Sequence, residues 1–148
     1  MLKKLLYPTD FSEIAEKCID YLETMGGQCT EEVVVLHVID QREINMVARA
    51  MSRYNTLVPV NVEKDLMAKT QEEIAKIAQR LREKGIAVKT RIEVGIPFTE
   101  IMKVAEEEGA SAIIIGSHGL SNIREMLLGS VSEKVIRKSP LPVLLVKR

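Results

Sequence analysis

The sequence predicts a single doubly wound α/β domain, a five-stranded parallel sheet of order 3-2-1-4-5 with helices on both faces. Three observations predict it. Short apolar runs alternate with longer amphipathic segments along the whole chain, as in a sheet built from strand–helix crossovers. Val33 to Ile39 is apolar on nearly every position, as a strand buried on both faces requires. Near the C-terminus Ile113-Ile114-Ile115 opens onto Gly116-Ser117-His118-Gly119, and nine residues then separate Gly119 from Gly129-Ser130. A buried strand that ends in glycines and runs into a helix N-terminus offers an anion unshielded backbone N–H groups and the positive end of the helix dipole.

The elements follow in order. Leu2 to Tyr7 is the first strand, closed by Pro8. Phe11 to Met25 is a helix whose Ile14, Cys18, Leu22 and Met25 share a face, with Gly26-Gly27 as its stop. Val33 to Ile39 is the second strand. Residues 41 to 59 suggest a loose helical turn or two ended by Pro59, long for a connection and suited to a flap or a partner surface. Val62 to Lys84 is a helix with the stripe Leu66, Ile74, Ile77, Ala78 and Leu81, followed by Gly85. Ala87 to Val94 is the third strand. Pro97 to Glu108 is a helix with proline in its first turn and Gly109 beyond its end. Ala112 to Ile115, the helix Gly129 to Lys138, and the strand Val143 to Val146 complete the chain.

Bulk properties bound the function. At 148 residues the chain is one domain, 1–148, with no repeat or linker. Lys plus Arg and Asp plus Glu both number 21, so no broad basic surface faces nucleic acid or anionic lipid. With no Trp, two Phe and three Tyr, a base-stacking platform is not expected. Neither a signal-peptide pattern nor an apolar run of membrane-spanning length is present, and Cys18 and Cys29 form no CxxC pair. A cytoplasmic protein is expected.

Right-handed crossovers place the first and fourth strands side by side, and ligands on such sheets bind outside the carboxyl ends at that point. Two distant stretches meet there: Pro8-Thr9-Asp10 and the loop from Gly116 to Gly129. The loop matches neither GxxxxGK[ST] nor GxGxxG, against a P-loop motor or a dinucleotide dehydrogenase. Each candidate has a second reading. Ser130 to Glu133 is a capping box, so Ser130 can cap a helix, and the same N–H groups can serve a phosphate. Asp10 to Glu13 is another, so Asp10 is either an N-cap or a carboxylate facing a ribose hydroxyl or ligand-bound Mg²⁺. His118 can donate to a phosphate, act in acid–base chemistry, or simply be exposed. His37 reads as a core or crevice residue. No catalytic residue and no protein-built metal site are assigned.

The pattern Gly-x2-Gly-x9-Gly-Ser, the final Pro-Val-Leu-Leu-Val strand, the opening Leu-Leu-Tyr-Pro-Thr-Asp-Phe-Ser and Leu36-His37-Val38-Ile39 together resemble the universal stress protein family, in its nucleotide-binding branch. The resemblance covers essentially the whole chain and is weakest over residues 41 to 65. It implies a Rossmann-like fold of the adenine nucleotide alpha hydrolase type and ATP at the sheet's carboxyl end. Carried over, Pro8, Thr9 and Asp10 would line the adenosine end and Val38 would meet adenine through its backbone. Gly116, Ser117 and Gly119 would pass the ribose and first phosphates, with His118 among them. Gly129, Ser130, Val131 and Ser132 would hold the phosphate tail. Ser132 stands where the family has Thr and keeps the hydroxyl. Mg²⁺ or Mn²⁺ would be held mainly by the phosphates. The resemblance further implies a homodimer through the C-terminal edge strand, since an apolar edge invites pairing. The functional expectation is a nucleotide-dependent regulatory switch acting through unknown protein partners in a stress response. The alternatives are a slow ATP hydrolase or nucleotidyl transferase on the same site, or an interaction module without nucleotide.

Overall fold

The computed structural model describes residues 2–54, 61–118 and 128–148. Pro59 and Gly119, two of the residues singled out above, lie outside them. The chain runs β1 (Lys4–Pro8), α1 (Glu13–Met25), β2 (Glu32–Asp40), α2 (Gln41–Arg53), α3 (Val62–Glu83), β3 (Ala87–Gly95), α4 (Pro97–Glu107), β4 (Ala112–Gly116), α5 (Ser130–Lys138) and β5 (Val143–Val146). The five strands form one sheet of order β3-β2-β1-β4-β5, every pairing parallel, as the sequence predicts. Leu6 sits between Val34 of β2 and Ile113 of β4, so β1 is central and hydrogen-bonded on both edges.

Because side chains alternate along a strand, each central strand feeds two cores. Leu5 and Tyr7 face α1 and α3, joining Cys18, Ile19, Leu22, Val33, Val35, Ile74, Leu81 and Ile114. Leu6 faces the other way, with Val34, Leu36, Ile101, Val104, Ile113, Ile115 and Val135 beneath α4 and α5. The apolar runs are continuous because both faces of the sheet are covered. Cys18 is fully buried in the first of these cores, and its thiol is pushed up to about 12 by that burial. Full burial of each large aliphatic side chain contributes roughly 1.5–3 kcal/mol.

The helix ends follow local chemistry, and two differ from expectation. Ser12, not Asp10, caps α1: its side chain accepts from Ala15 N, while Glu13 and Glu16 sit in the positive first turn. Phe11, expected inside that helix, stands outside it with φ 63°, a region costly for a residue with a Cβ. Gly129, not Ser130, is the N-cap of α5, and no side chain caps it. Pro8, read as a stop, is the last residue of β1 and pairs with Leu36. In the stripe of α3, Leu66 and Ile77 are half-buried while Thr70 joins Ile74, Ala78 and Leu81 in burial.

The largest correction is the segment after β2. It is not a loose turn or two but α2, a helix of 13 residues. Asp40 starts it by accepting from Arg42 N at 2.9 Å. Ile44 alone among its side chains is buried, and the helix packs on α3, β2 and β3. Ile44, Val47, Ala48 and Met51 do stand at helical spacing, but of these only Ile44 is buried and Val47 half-buried, so the buried stripe is short.

Candidate functional site

The two central strands send their chains to opposite faces: β1 leads into α1 on one side, and α5, which follows β4, lies on the other. The gap this leaves at their carboxyl ends holds a cleft of about 330 Å³. That volume falls in the range of small-molecule sites. Pro8, Thr9 and Asp10 line it from the end of β1 and Val38 from β2. Gly116 and His118 line it after β4, and Gly129, Ser130, Val131 and Ser132 at the start of α5. Ser117 does not. It is 4% exposed, its amide donates to Val146 O, and its carbonyl accepts from Gly129 N. Ser117 instead joins β4, β5 and the start of α5. Gly119 lies outside the described residues.

One wall is the first turn of α5. The first bond of the helix runs from Glu133 N to Gly129 O at 2.8 Å. The amides of Ser130, Val131 and Ser132 precede it, and among the described residues no acceptor takes them. They are the orphan donors of an α-helix N-terminus, opening on the cleft without a side-chain cap. Gly129 differs: its own N–H is spent on Ser117 O at 2.8 Å, so it offers the cleft the absence of a side chain and not a donor. Ser132 is buried, and its Oγ donates to Gly116 O at 2.6 Å, fixing α5 to the end of β4.

The opposite wall is the turn between β1 and α1. Thr9 N donates to Leu36 O at 2.8 Å, extending the β1–β2 ladder by one bond. Phe11 N donates to Thr9 Oγ1 at 3.1 Å, and Ser12 N donates to Asp10 Oδ1 at 3.0 Å. Asp10 thus braces its own turn with one oxygen, an Asx arrangement. His37, a half-buried residue on β2, reaches across with Nδ1 2.7 Å from Thr9 O. Only a protonated nitrogen can meet a carbonyl oxygen, so Nδ1 carries the hydrogen. Burial pushes the His37 imidazole below its ordinary value, partly offset by that same bond to Thr9.

Between the walls, His118 places Nδ1 2.8 Å from Ser117 Oγ, and its Nε2 is buried with no partner among the described residues. A buried ring nitrogen without a partner is uncommon and costs stability.

Sequence reasoning missed part of the rim. Asp40, Arg42, Glu43, Pro97 and Ser12 also line the cleft, beside His37, which the sequence places in the core or the crevice. Asp40 and Arg42 are paired at 2.6 Å, and that bond holds the Asp40 carboxyl below its ordinary value. The available signal was positional: all of these residues sit at or beside a strand's carboxyl end. Among the described residues no group of three or more His, Cys, Asp or Glu converges to hold a metal. No helix among them is long and apolar enough to cross a membrane.

Comparison with known proteins agrees with this geometry. The model of the Universal stress protein family matches residues 1–147. Universal stress protein MJ0577 of Methanocaldococcus jannaschii is 46% identical over 157 aligned residues, spanning 100% of this chain and 96% of the relative. A solved structure of MJ0577 superimposes with a TM-score of 0.86 at 44% identity, covering 100% of this chain and 97% of the other. Universal stress protein YxiE of Bacillus subtilis is 32% identical, over 99% of this chain and 100% of the relative. A universal stress protein from Archaeoglobus fulgidus in complex with dAMP shares the fold, with a TM-score of 0.64 at 21% identity and coverage of 99% and 98%.

Proposed function

This chain belongs to the universal stress protein family, and we propose from that premise that it binds ATP in the cleft and works as a nucleotide-dependent switch read by protein partners. The observation that carries the reading is the first turn of α5. Three amides with no acceptor among the described residues, those of Ser130, Val131 and Ser132, meet a cleft at the place where a glycine leaves room. Donors of that kind suit a polyphosphate. Across the cleft, Thr9 and Asp10 supply polar atoms for a ribose, and Pro8 and Val38 supply an apolar edge and a backbone for adenine. Gly116 lines the cleft beside the ribose and first phosphates, and His118 faces those phosphates. Mg²⁺ or Mn²⁺ enters with the nucleotide, held mainly through the phosphates. The dAMP of the Archaeoglobus fulgidus relative accords with an adenine nucleotide on this fold, but the residues that support the reading are this chain's own.

We assign no catalytic residue. A second reading, slow ATP hydrolysis or nucleotidyl transfer, is favoured by the Nε2 of His118 in the same cleft, which has no partner among the described residues. Turnover measured with and without Mg²⁺ separates the two. A rate near or above about 1 s⁻¹, abolished by His118→Ala, supports an enzyme.

The switch acts, in this reading, in a cytoplasmic stress response as a homodimer. β5 is the outer strand of the sheet and presents Leu144, 42% exposed, as its free apolar side chain.

The nucleotide reading is tested by denaturing the purified protein, identifying any nucleotide released, and titrating ATP into the nucleotide-free protein and Gly129→Val. Gly129 has φ −59° and ψ 149°, which valine adopts freely, so the fold is expected to survive. The branched side chain fills the cleft beside the α5 amides, and ATP binding is expected to be lost. A variant that binds ATP as the wild type does overturns the assignment.

A further inference from the structure

His37 is in the cleft, yet nothing in the nucleotide reading uses it. It lies one residue before Val38 on β2 and points toward the neighbouring β1–α1 turn. Two features of that turn need an explanation. Among the described residues Phe11 is the one non-glycine residue with positive φ, at 63°, and such strain persists only where the surroundings over-determine it. The Thr9 carbonyl, one peptide past the end of β1, has left the sheet and needs a donor of its own.

His37 meets both needs. Its Nδ1–H donates to Thr9 O at 2.7 Å, and its ring stacks on Phe11 with centroids 4.6 Å apart and planes 22° from parallel. Thr9 N is already held by Leu36 O, so β2 grips both the amide and the carbonyl of Thr9. With Thr9 fixed, its hydroxyl accepts from Phe11 N, and Asp10 Oδ1 accepts from Ser12 N. The turn that carries Asp10 is therefore clamped from β2, the strand that also carries Val38.

We propose that His37 is a positioning residue for the adenosine end of the site: by donating to the Thr9 carbonyl and stacking on Phe11 it holds the Thr9–Phe11 turn so that Asp10 and Val38 face one ligand at a fixed separation. This rests on the nucleotide reading given above. The phosphate end, built on α5, does not pass through His37. The clamp thus affects recognition of the nucleoside and leaves the phosphate contribution alone.

Calorimetric titrations of ATP and AMP into wild type, His37→Phe and His37→Asn test this. Phenylalanine keeps a ring against Phe11 and lacks the donor. Asparagine lacks the ring and places its amide nitrogen where Nδ1 stood. His37→Phe is expected to weaken ATP and AMP alike by about tenfold, the size of one net hydrogen bond, leaving their ratio unchanged. His37→Asn is expected to remain within about threefold of wild type, given the spread in what one such bond contributes. Equal binding by wild type and His37→Phe overturns the proposal, as does His37→Asn binding no better than His37→Phe. A changed ATP-to-AMP ratio also overturns it, because the effect has then reached the phosphate end.

Amide hydrogen exchange on the ligand-free proteins separates this claim from the one beneath it. Faster exchange at Phe11 and Ser12 in His37→Phe, with Ser130 to Ser132 unchanged, supports the clamp. Unchanged exchange at Phe11 and Ser12 overturns it. A wild type that binds neither nucleotide overturns the nucleotide reading itself, while the exchange rates still decide whether His37 holds the turn.

Discussion

Ser132, in the first turn of α5, donates its hydroxyl to the carbonyl of Gly116 at the last position of β4, 2.6 Å away and out of solvent. The residues are 16 apart in sequence. The bond sets where the first-turn amides of α5 stand relative to the sheet. Ser132→Ala is expected to lower stability by about 1–2 kcal/mol in urea unfolding, the usual effect of losing a buried hydrogen bond. ATP affinity is expected to fall as well, because the donors are no longer held in place. A variant with wild-type stability would show that the bond is not formed in solution.

Gly116 is small for a reason that has nothing to do with its φ. A Cβ built there lies 2.6 Å from Cγ2 of Ile14, a buried residue in the first turn of α1. Gly116→Ala must therefore push α1 away from β4. The expected cost is about 1–3 kcal/mol, the usual range for overpacking. Ile14→Ala removes the atom that is struck. The two changes together are expected to cost less than the sum of the separate ones, since neighbours that collide do not act independently. Strict additivity in urea unfolding would show that Ile14 is not the obstacle.

How far the sequence could be read depends on what each residue buries. β1, β2 and β4 were legible because Leu5, Val34 and Ile113 belong to runs apolar on both faces, and Pro8 and Gly116 mark where the runs of β1 and β4 end. Strand order followed from the right-handed crossover rule, and the cleft from the order. α2 was legible only as a helical turn or two, because Ile44, Val47 and Met51 stand at helical spacing among polar neighbours and only Ile44 is buried. Ser117 and His118 are adjacent, and at the end of a strand one turns into the protein while the next faces the cleft. Composition cannot say which. A cap is equally hard to place to the residue: Asp10 and Ser12, or Gly129 and Ser130, satisfy similar patterns, and the backbone geometry decides. Asp40 and Arg42 went unnoticed because a charged pair at the start of a polar helix looks like any solvated surface.

At the far end of the sheet, Glu108 accepts from Lys89 and Arg91 and faces Lys4, with Nζ or Nη1 2.8 to 3.4 Å away and a side chain only 5% exposed. Hydrogen bonds from Lys89 and then Arg91 hold its carboxyl at about 2, below the ordinary 4.5. A carboxylate depressed in the folded protein binds its proton less readily there than in the unfolded chain. Its contribution to stability is complete above about 4.5 and is lost as pH falls from there through about 2. Glu108→Gln should therefore be less stable than wild type at neutral pH, and the gap should close as acid protonates Glu108. Urea midpoints of both proteins across that range test the sign. A gap that is constant with pH would show that the carboxylate is not preferentially charged in the fold.

The proposed dimer makes the last prediction. β5 is hydrogen-bonded to β4 alone and carries Leu144 on the outermost strand, while Ile136 of α5 is 40% exposed nearby in sequence. A strand edge with apolar side chains is costly to leave in water and can pair with a second copy of itself. Pairing about a two-fold axis uses the same patch twice, so one substitution counts on both sides. Leu144→Glu puts a charge into each half of that contact and removes apolar area from both. It is expected to convert the dimer to a monomer in light scattering after gel filtration, with the ATP affinity of each chain unchanged, because Leu144 is not among the residues that line the cleft. A wild type that runs as a monomer, or a Leu144→Glu variant that remains a dimer, places the contact elsewhere or removes it.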